Sequence, residues 1–284
     1  MTNPMLQIAN VRVALRQLGV QPTRAMGQNF LIDGQALATI VAAGEITSDT
    51  LVVEVGPGLG VLTWELVRSA GQVVAVELDS RLAARLRTEF AMYTNLTIYQ
   101  QDVLTADIAQ ITQGRPYRVV ANLPYAITSP VLRHFLEAVH PPELMTVLVQ
   151  REVAQRICAT PGDMSVLAHA IQIRAVPELI AIVPPESFMP APEVYSAVLR
   201  LRRRVLPLID SHEEPTVMKV IKAGFLHARK QLGNSLASGL AAHGIQRDRA
   251  GVQELLRQCD IDPMRRAETL SFDEWVRVSR ALTR

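Results

Sequence analysis

The chain has 284 residues, 49% hydrophobic and 20% charged, with a formal net charge of +2. That size fits one large domain or a main domain with a smaller companion, and the balance is that of a well-cored protein, which excludes a disordered chain. Two distant cysteines, Cys158 and Cys259, and six histidines without ligand spacing argue against a metal site and, with no secretory signal, favour a reducing cytosol.

Ile8–Leu18 and Gln35–Ala43 have helical periodicity and precede the first strand. The first 32 residues hold Arg12, Arg16 and Arg24 and no acid, which resembles a transit peptide in composition. Against that reading stands Gly27-Gln28-Asn29-Phe30-Leu31, which takes its meaning from the family resemblance. From residue 51 to 150, short β-branched runs alternate with amphipathic segments. Leu51–Val55, Val73–Glu77, Leu96–Tyr99, Arg118–Ala121 and Met145–Val149 read as strands, and Val61–Ser69, Arg81–Phe90 and Pro130–Val139 as the helices between them. Continuous hydrophobicity in the strands means cover on both faces, hence an α/β fold with a doubly wound, mostly parallel, Rossmann-like sheet.

The most apolar long segment, Val166 to Val183, is broken by His169, Gln172, Arg174, Pro177 and Glu178, so no bilayer span is expected. Leu179–Val183 and Tyr195–Leu201 can extend the sheet. After Pro207 the strands stop, and His212–His227, Leu232–Ala242, Asp248–Gln258 and Phe272–Leu282 predict a smaller C-terminal α-helical domain. The expected division is 1–204 and 205–284. Residues 1–196 carry 13 Lys+Arg against 17 Asp+Glu, and 197–284 carry 16 against 10. The cluster Arg200, Arg202, Arg203, Arg204 supplies much of that excess, so a basic seam between domains is better supported than a basic tail.

The first strand runs into Glu54-Val55-Gly56-Pro57-Gly58-Leu59-Gly60. Glycines such as Gly56 and Gly58 let the backbone approach a ligand and put N–H groups at a helix start. The next strand ends at Glu77, where an acid can accept from ribose hydroxyls, and the third at Gln101-Asp102, where Asp102 can accept from an adenine amino group. A nicotinamide dinucleotide and S-adenosylmethionine both suit such strand ends. The spacing G-x-G-x-G lacks the later glycine of the dinucleotide fingerprint, and a dinucleotide leaves the fourth strand end without a role. The sulfonium cofactor is therefore the stronger reading.

That fourth strand ends in Asn122-Leu123-Pro124-Tyr125. The amide oxygen of Asn122 can accept from an amino group. Pro124 biases Leu123 away from helix, leaving its carbonyl free to accept as well, and Tyr125 offers a flat face to a nucleobase. In isolation, a strand followed by a proline turn is the commoner meaning of such a tetrapeptide. Beside the cofactor residues, these groups suit an amine that attacks a methyl.

These residues resemble the ribosomal RNA adenine dimethyltransferases of the KsgA type, within the class I methyltransferases, over nearly the whole chain. Gly27–Leu31, Glu54–Gly60, Glu77, Gln101-Asp102 and Asn122–Tyr125 match in order. So do the loop Phe188-Met189-Pro190-Ala191-Pro192-Glu193-Val194, the segment Phe225–Leu236 with Arg229-Lys230, and Arg266–Ser271. The resemblance implies that Asn29, Leu31, Gly56, Glu77, Asp102 and Asn122 line the S-adenosylmethionine site, and that Tyr125 and Phe188 stack on the target base. Ala126, Ala228 and Tyr195 depart from the family pattern at positions that bear on RNA contact.

The implied activity is transfer of two methyl groups to the N6 amine of each of two adjacent adenines, in a hairpin near the 3′ end of small-subunit ribosomal RNA. The expected setting is an assembling small subunit in the cytoplasm, with the enzyme a monomer and the helical domain recognising RNA. Some of Arg200, Arg202, Arg203, Arg204, Arg229 and Lys230 are expected to touch phosphate. The rival readings are a large-subunit methyltransferase of the macrolide-resistance type and a non-catalytic RNA-binding assembly or transcription factor. The helical-domain matches oppose the first, and intact Asn122, Tyr125 and Asp102 oppose the second. A zinc deaminase is excluded because no Cys-x-x-Cys accompanies a His-x-Glu.

Overall fold

The computed structural model describes residues 3–19 and 29–283, so Gly27 and Gln28 of the first motif lie outside the described residues. The chain divides into two compact units, Met1–Ala154 with Val176–Arg203 and Gln155–Ala175 with Arg204–Arg284. The sequence-based division after residue 204 differs in two respects: residues 155–175 leave the first unit and join the second, and Arg204 falls in the second unit. The apolar run from Val166 conceals that excursion. It is two elements, a helix and then a strand, and they end in different cores.

In the first unit, α1 (Ile8–Leu18) and α2 (Gly34–Ala43) flank a two-residue strand β1 (Phe30–Leu31). The alternation that follows is β2 (Leu51–Val55), α3 (Val61–Ser69), β3 (Gln72–Glu77), α4 (Ser80–Glu89), β4 (Leu96–Gln100), α5 (Ile108–Thr112), β5 (Arg118–Asn122), α6 (Thr128–Leu136) and β6 (Leu144–Gln150). After α7 (Arg151–Ile157) and α8 (Val166–Gln172) come β7 (Ala175–Val183), β8 (Phe188–Met189) and β9 (Ser196–Arg203). The seven-stranded sheet has the order β4-β3-β2-β5-β6-β9-β7. Its first five strands pair in parallel, and β9 runs antiparallel to β6, with Gln150 opposite Ser196. β2 is buried along its length, as a parallel strand covered on both faces requires. Pro177 falls on β7, an edge strand where its missing N–H is tolerated.

Parallel strands deliver their C-terminal ends to one edge of the sheet, and open α/β sheets place ligands outside that edge. Glu54, Glu77 and Asn122 all lie at or beside such ends. The antiparallel entry of β9 brings Ser196 to the same edge, because its first residue pairs with the last of β6.

The second unit packs α8 with α9 (Glu214–Gly224), α10 (Leu232–Ala242), α11 (Arg249–Gln258) and α12 (Phe272–Thr283) around Val217, Ile221, Leu236, Leu256 and Trp275. Gly239 permits the approach of α9 and α10, since a Cβ there would lie 2.0 Å from the Ala223 carbonyl oxygen. The imidazole of His169 is enclosed by Phe225, Phe272 and Trp275, each within 6.2 Å centroid to centroid. Among the described residues no helix is long and apolar enough to cross a membrane.

Candidate active site

Three local devices shape the glycine loop. Gly58 adopts φ +58°, which a side chain disfavours, and its N–H donates to Glu77 Oε2 at 3.0 Å. Gly60 caps α3 with φ +83°, and a Cβ there would come within 2.8 Å of the Phe90 ring. The N–H of Asp79 donates to the other oxygen of Glu77 at 2.9 Å, so both carboxyl oxygens have backbone donors. Glu77 is only 6% exposed; burial raises its pKa, and the two backbone donors oppose that rise.

Glu54 is more enclosed, at 1% exposure. Its Oε2 accepts from Thr63 Oγ1 at 2.7 Å. Burial pushes its pKa up to about 8, against the Thr63 hydrogen bond and with some help from the charge of Glu77. Both carboxyls line one cavity with Asn29, Phe30, Leu31, Gly56, Gly58, Asn122 and Tyr125, and among the described residues no lysine, arginine or histidine belongs to the wall. A wall whose described residues hold acids and no base suits a cationic ligand better than a pyrophosphate. The Gly58 N–H that a phosphate would seek is already taken by Glu77.

Asn122 ends β5. Its Nδ2 donates to the Asn29 carbonyl at 3.0 Å, and a carbonyl can only accept, so the amide is turned with Oδ1 as its available acceptor. The Leu123 N–H donates to the Leu148 carbonyl at 3.2 Å, which holds this peptide against β6. Pro124 is extended, with ψ 131°, and Tyr125 opens a short 3-10 turn beyond it. The Tyr125 ring is half-buried, and its hydroxyl shares a 2.7 Å hydrogen bond with Ser196 Oγ.

Of the sequence-predicted residues, Asn29, Leu31, Gly56, Gly58, Glu77, Asn122, Leu123, Pro124 and Tyr125 are brought together in this wall. Asp102 is not. Its Oδ1 accepts from the Leu104 N–H at 2.9 Å and caps a 3-10 turn. Phe188 is 3% exposed, packed in the core, and lines a different cavity beside Arg12 and Arg16. Its strand β8 pairs with β1, placing Phe188 opposite Leu31.

The arginine cluster is engaged within the protein. Arg200 bonds Glu178 and Glu45, Arg202 bonds Glu45, Arg203 donates to the Pro141 carbonyl, and Arg204 to the Gln172 carbonyl. Arg229 and Lys230 are exposed after α9.

Three contributors carried little or no signal in the sequence. Met5 and Val11 line the cavity because Asn3 anchors the N-terminal turn, donating from Nδ2 to the Val61 carbonyl at 2.8 Å. The only sequence signal was Asn3-Pro4, a helix-start pair. Ser196, as the partner of Tyr125, had no signal at all.

A model of the ribosomal RNA adenine dimethylase family matches residues 21–282. The chain is 42% identical over 269 residues to ribosomal RNA small subunit methyltransferase A of Dehalococcoides mccartyi strain 195, covering 94% of this chain and 91% of the relative. The enzyme of that name from Enterococcus faecalis is 41% identical over 278 residues, covering 94% and 92%. Among solved structures, the 23S rRNA methyltransferase ErmE superposes with a TM-score of 0.70 at 29% identity, over 90% of this chain and all of that one. A dimethyladenosine transferase from Plasmodium falciparum shares the fold, with a TM-score of 0.72 at 22% identity over 88% of this chain and 95% of its own. With a family match over nearly its whole length and relatives above 40% identity, this chain belongs to the ribosomal RNA adenine dimethylase family.

Proposed function

We propose that this protein uses S-adenosylmethionine to dimethylate the N6 amines of two adjacent adenines in a hairpin near the 3′ end of small-subunit ribosomal RNA, on an assembling subunit in the cytoplasm. The observation that carries the chemistry is the Asn122 amide, held by Asn29 through its Nδ2 so that Oδ1 faces away as an acceptor, in a cavity whose described residues hold two buried acids and no base. The choice of subunit is supported by 42% identity to small-subunit methyltransferases against 29% to the 23S enzyme.

The cofactor supplies a methyl group on a positively charged sulfur. Gly56 and Gly58 allow its close approach, Glu77 supplies negative charge to the same wall, and Glu54, which keeps its proton up to about pH 8, adds a polar carboxyl rather than a charge. An adenine amine is a weak nucleophile because its lone pair is delocalised into the ring. Asn122 Oδ1 and the Leu123 carbonyl accept its two N–H bonds, favouring a pyramidal nitrogen with its lone pair directed away from them. This is orientation and electrostatics rather than base catalysis. The Tyr125 face stacks on the base, worth about 1–3 kcal/mol, which offsets part of the few kcal/mol of unstacking. We assign the phosphate contacts to Arg229 and Lys230, which are exposed, ahead of the arginines at 200–204, whose guanidinium groups already have partners.

Transfer of labelled methyl to undermethylated small subunits, large subunits and free RNA tests the assignment. Small subunits are the expected acceptor, and Asn122→Ala lowers that transfer about a hundredfold with RNA binding retained. Incorporation confined to large subunits overturns the substrate; unchanged turnover in the variant overturns the role of Asn122.

A further inference from the structure

Tyr125 has an anchor that the strand-end motif does not contain. Its ring is attached through two rotatable side-chain torsions, so a stacking platform of fixed tilt needs a hold on its far end. That hold is the 2.7 Å hydrogen bond between the Tyr125 hydroxyl and Ser196 Oγ, across 71 residues of chain. Ser196 is wholly buried, at 0% exposure, and opens β9 opposite Gln150. It therefore sits at the sheet edge that presents Asn122, whose partner Leu148 lies two residues before Gln150.

The next residues of β9, Ala197, Val198 and Leu199, are apolar and fully buried. A hydroxyl in that row is desolvated and would be a liability without a partner. Tyr125 is the partner, and neither oxygen is left unsatisfied. An aliphatic residue would serve the packing at least as well, so packing does not account for the serine.

We propose that Ser196 is a positioning residue: through the Tyr125 hydroxyl it sets the tilt at which the target adenine stacks with its amine on Asn122. This rests on the reading of Tyr125 as the base platform. The loss is in orientation at the reacting nitrogen, whereas affinity for the subunit comes mainly from phosphate contacts elsewhere. A fault in tilt therefore falls on the rate of transfer and spares the KM for the subunit.

The test compares Ser196→Ala, Tyr125→Phe, the double variant and Tyr125→Ala in single-turnover methylation of undermethylated small subunits. Ser196→Ala and Tyr125→Phe are each expected to lower the rate about tenfold, with KM for the subunit changed less than about twofold and the double variant no slower than either alone. A wild-type rate in Ser196→Ala, or a double variant as slow as the product of the two singles, overturns the inference. A wild-type rate in Tyr125→Ala overturns the platform reading instead. Should Ser196→Ala fail to fold, Tyr125→Phe breaks the same bond with β9 intact, and its wild-type rate overturns the inference equally.

Discussion

Glu54 shows how a single residue can oppose stability for the sake of a site. An acid with its folded pKa near 8, against an ordinary 4.5, holds a proton in the folded protein that the unfolded chain has already released. Between those values the folded state binds more protons, so this group contributes less to stability as pH rises. Glu54→Gln keeps a hydrogen-bond acceptor for Thr63 and removes the titration. The variant's stability advantage over wild type is expected to grow from about pH 4.5 to about pH 8, measured by denaturant unfolding at several pH values. A difference that stays flat with pH would contradict the burial argument. Asn122 was legible only through its setting: alone, a strand end followed by proline and an aromatic is more often a plain turn, and the glycines and acids of the neighbouring strand ends gave the amide its meaning. Asp102 was legible only in part: its place at the end of a strand could be read, but its engagement as a cap on Leu104 could not.

Among elements, α8 makes the clearest case for what periodicity conceals. His169 donates from Nδ1 to the Ser165 carbonyl at 2.8 Å, leaving Nε2 buried without a partner. Burial holds its pKa below the ordinary 6.5, against the Ser165 hydrogen bond. The unfolded chain then takes up the proton first, so the stability His169 confers is complete above pH 6.5 and is lost as pH falls below it. His169→Asn, which can keep the donor to Ser165 and does not titrate, is expected to flatten that acid limb in a pH series of thermal melts. An unchanged limb would assign it to other groups. In a sequence, this helix and β7 merge into one apolar run, although α8 is buried over Ala168–Ile171 while β7, an edge strand, is buried only at Ala175 and Val183. The strands Phe30–Leu31 and Phe188–Met189 were illegible for a different reason. Two residues carry no period, and each strand exists only by pairing with the other. The helices Val61–Ser69 and Leu232–Ala242, by contrast, appear with the bounds their periodicity predicts.

For the molecule as a whole, net charge was a poor guide and its placement a better one. The arginines at 200–204 dominate the excess in the sequence, yet their charge is spent on Glu45 and Glu178 and on carbonyls. Arg229 and Lys230 on the helical unit remain exposed. Replacing both with alanine is expected to lower the salt slope of RNA binding by about 1.4–1.8, since each phosphate contact releases roughly 0.7–0.9 counterions. An unchanged slope in a salt titration would remove both from the RNA face. Of the residues expected to hold the cofactor, Gly56, Gly58 and Glu77 follow two successive strands into one wall, while Asp102, at the third, lies outside it. The Ser196 anchor of Tyr125 was not readable from spacing, because β9 enters the sheet from a distant part of the chain.

That late strand makes the two halves of the site unequal in the folding of the chain. The bonds that shape the cofactor wall, Thr63 to Glu54 and Gly58 to Glu77, close over 9 and 19 residues. The bond that steadies Tyr125 closes over 71. Loop-closure entropy grows as the logarithm of length, so the longer span costs roughly 1 kcal/mol more than the 19-residue one. The difference is small in energy and large in order. The strands that carry Glu54 and Glu77 are contiguous in the chain and can meet before β9 has left the ribosome that makes it. A chain interrupted before residue 196 therefore lacks the Ser196 anchor of the Tyr125 ring we propose as the base platform, even when the wall of Gly58, Glu54 and Glu77 is complete.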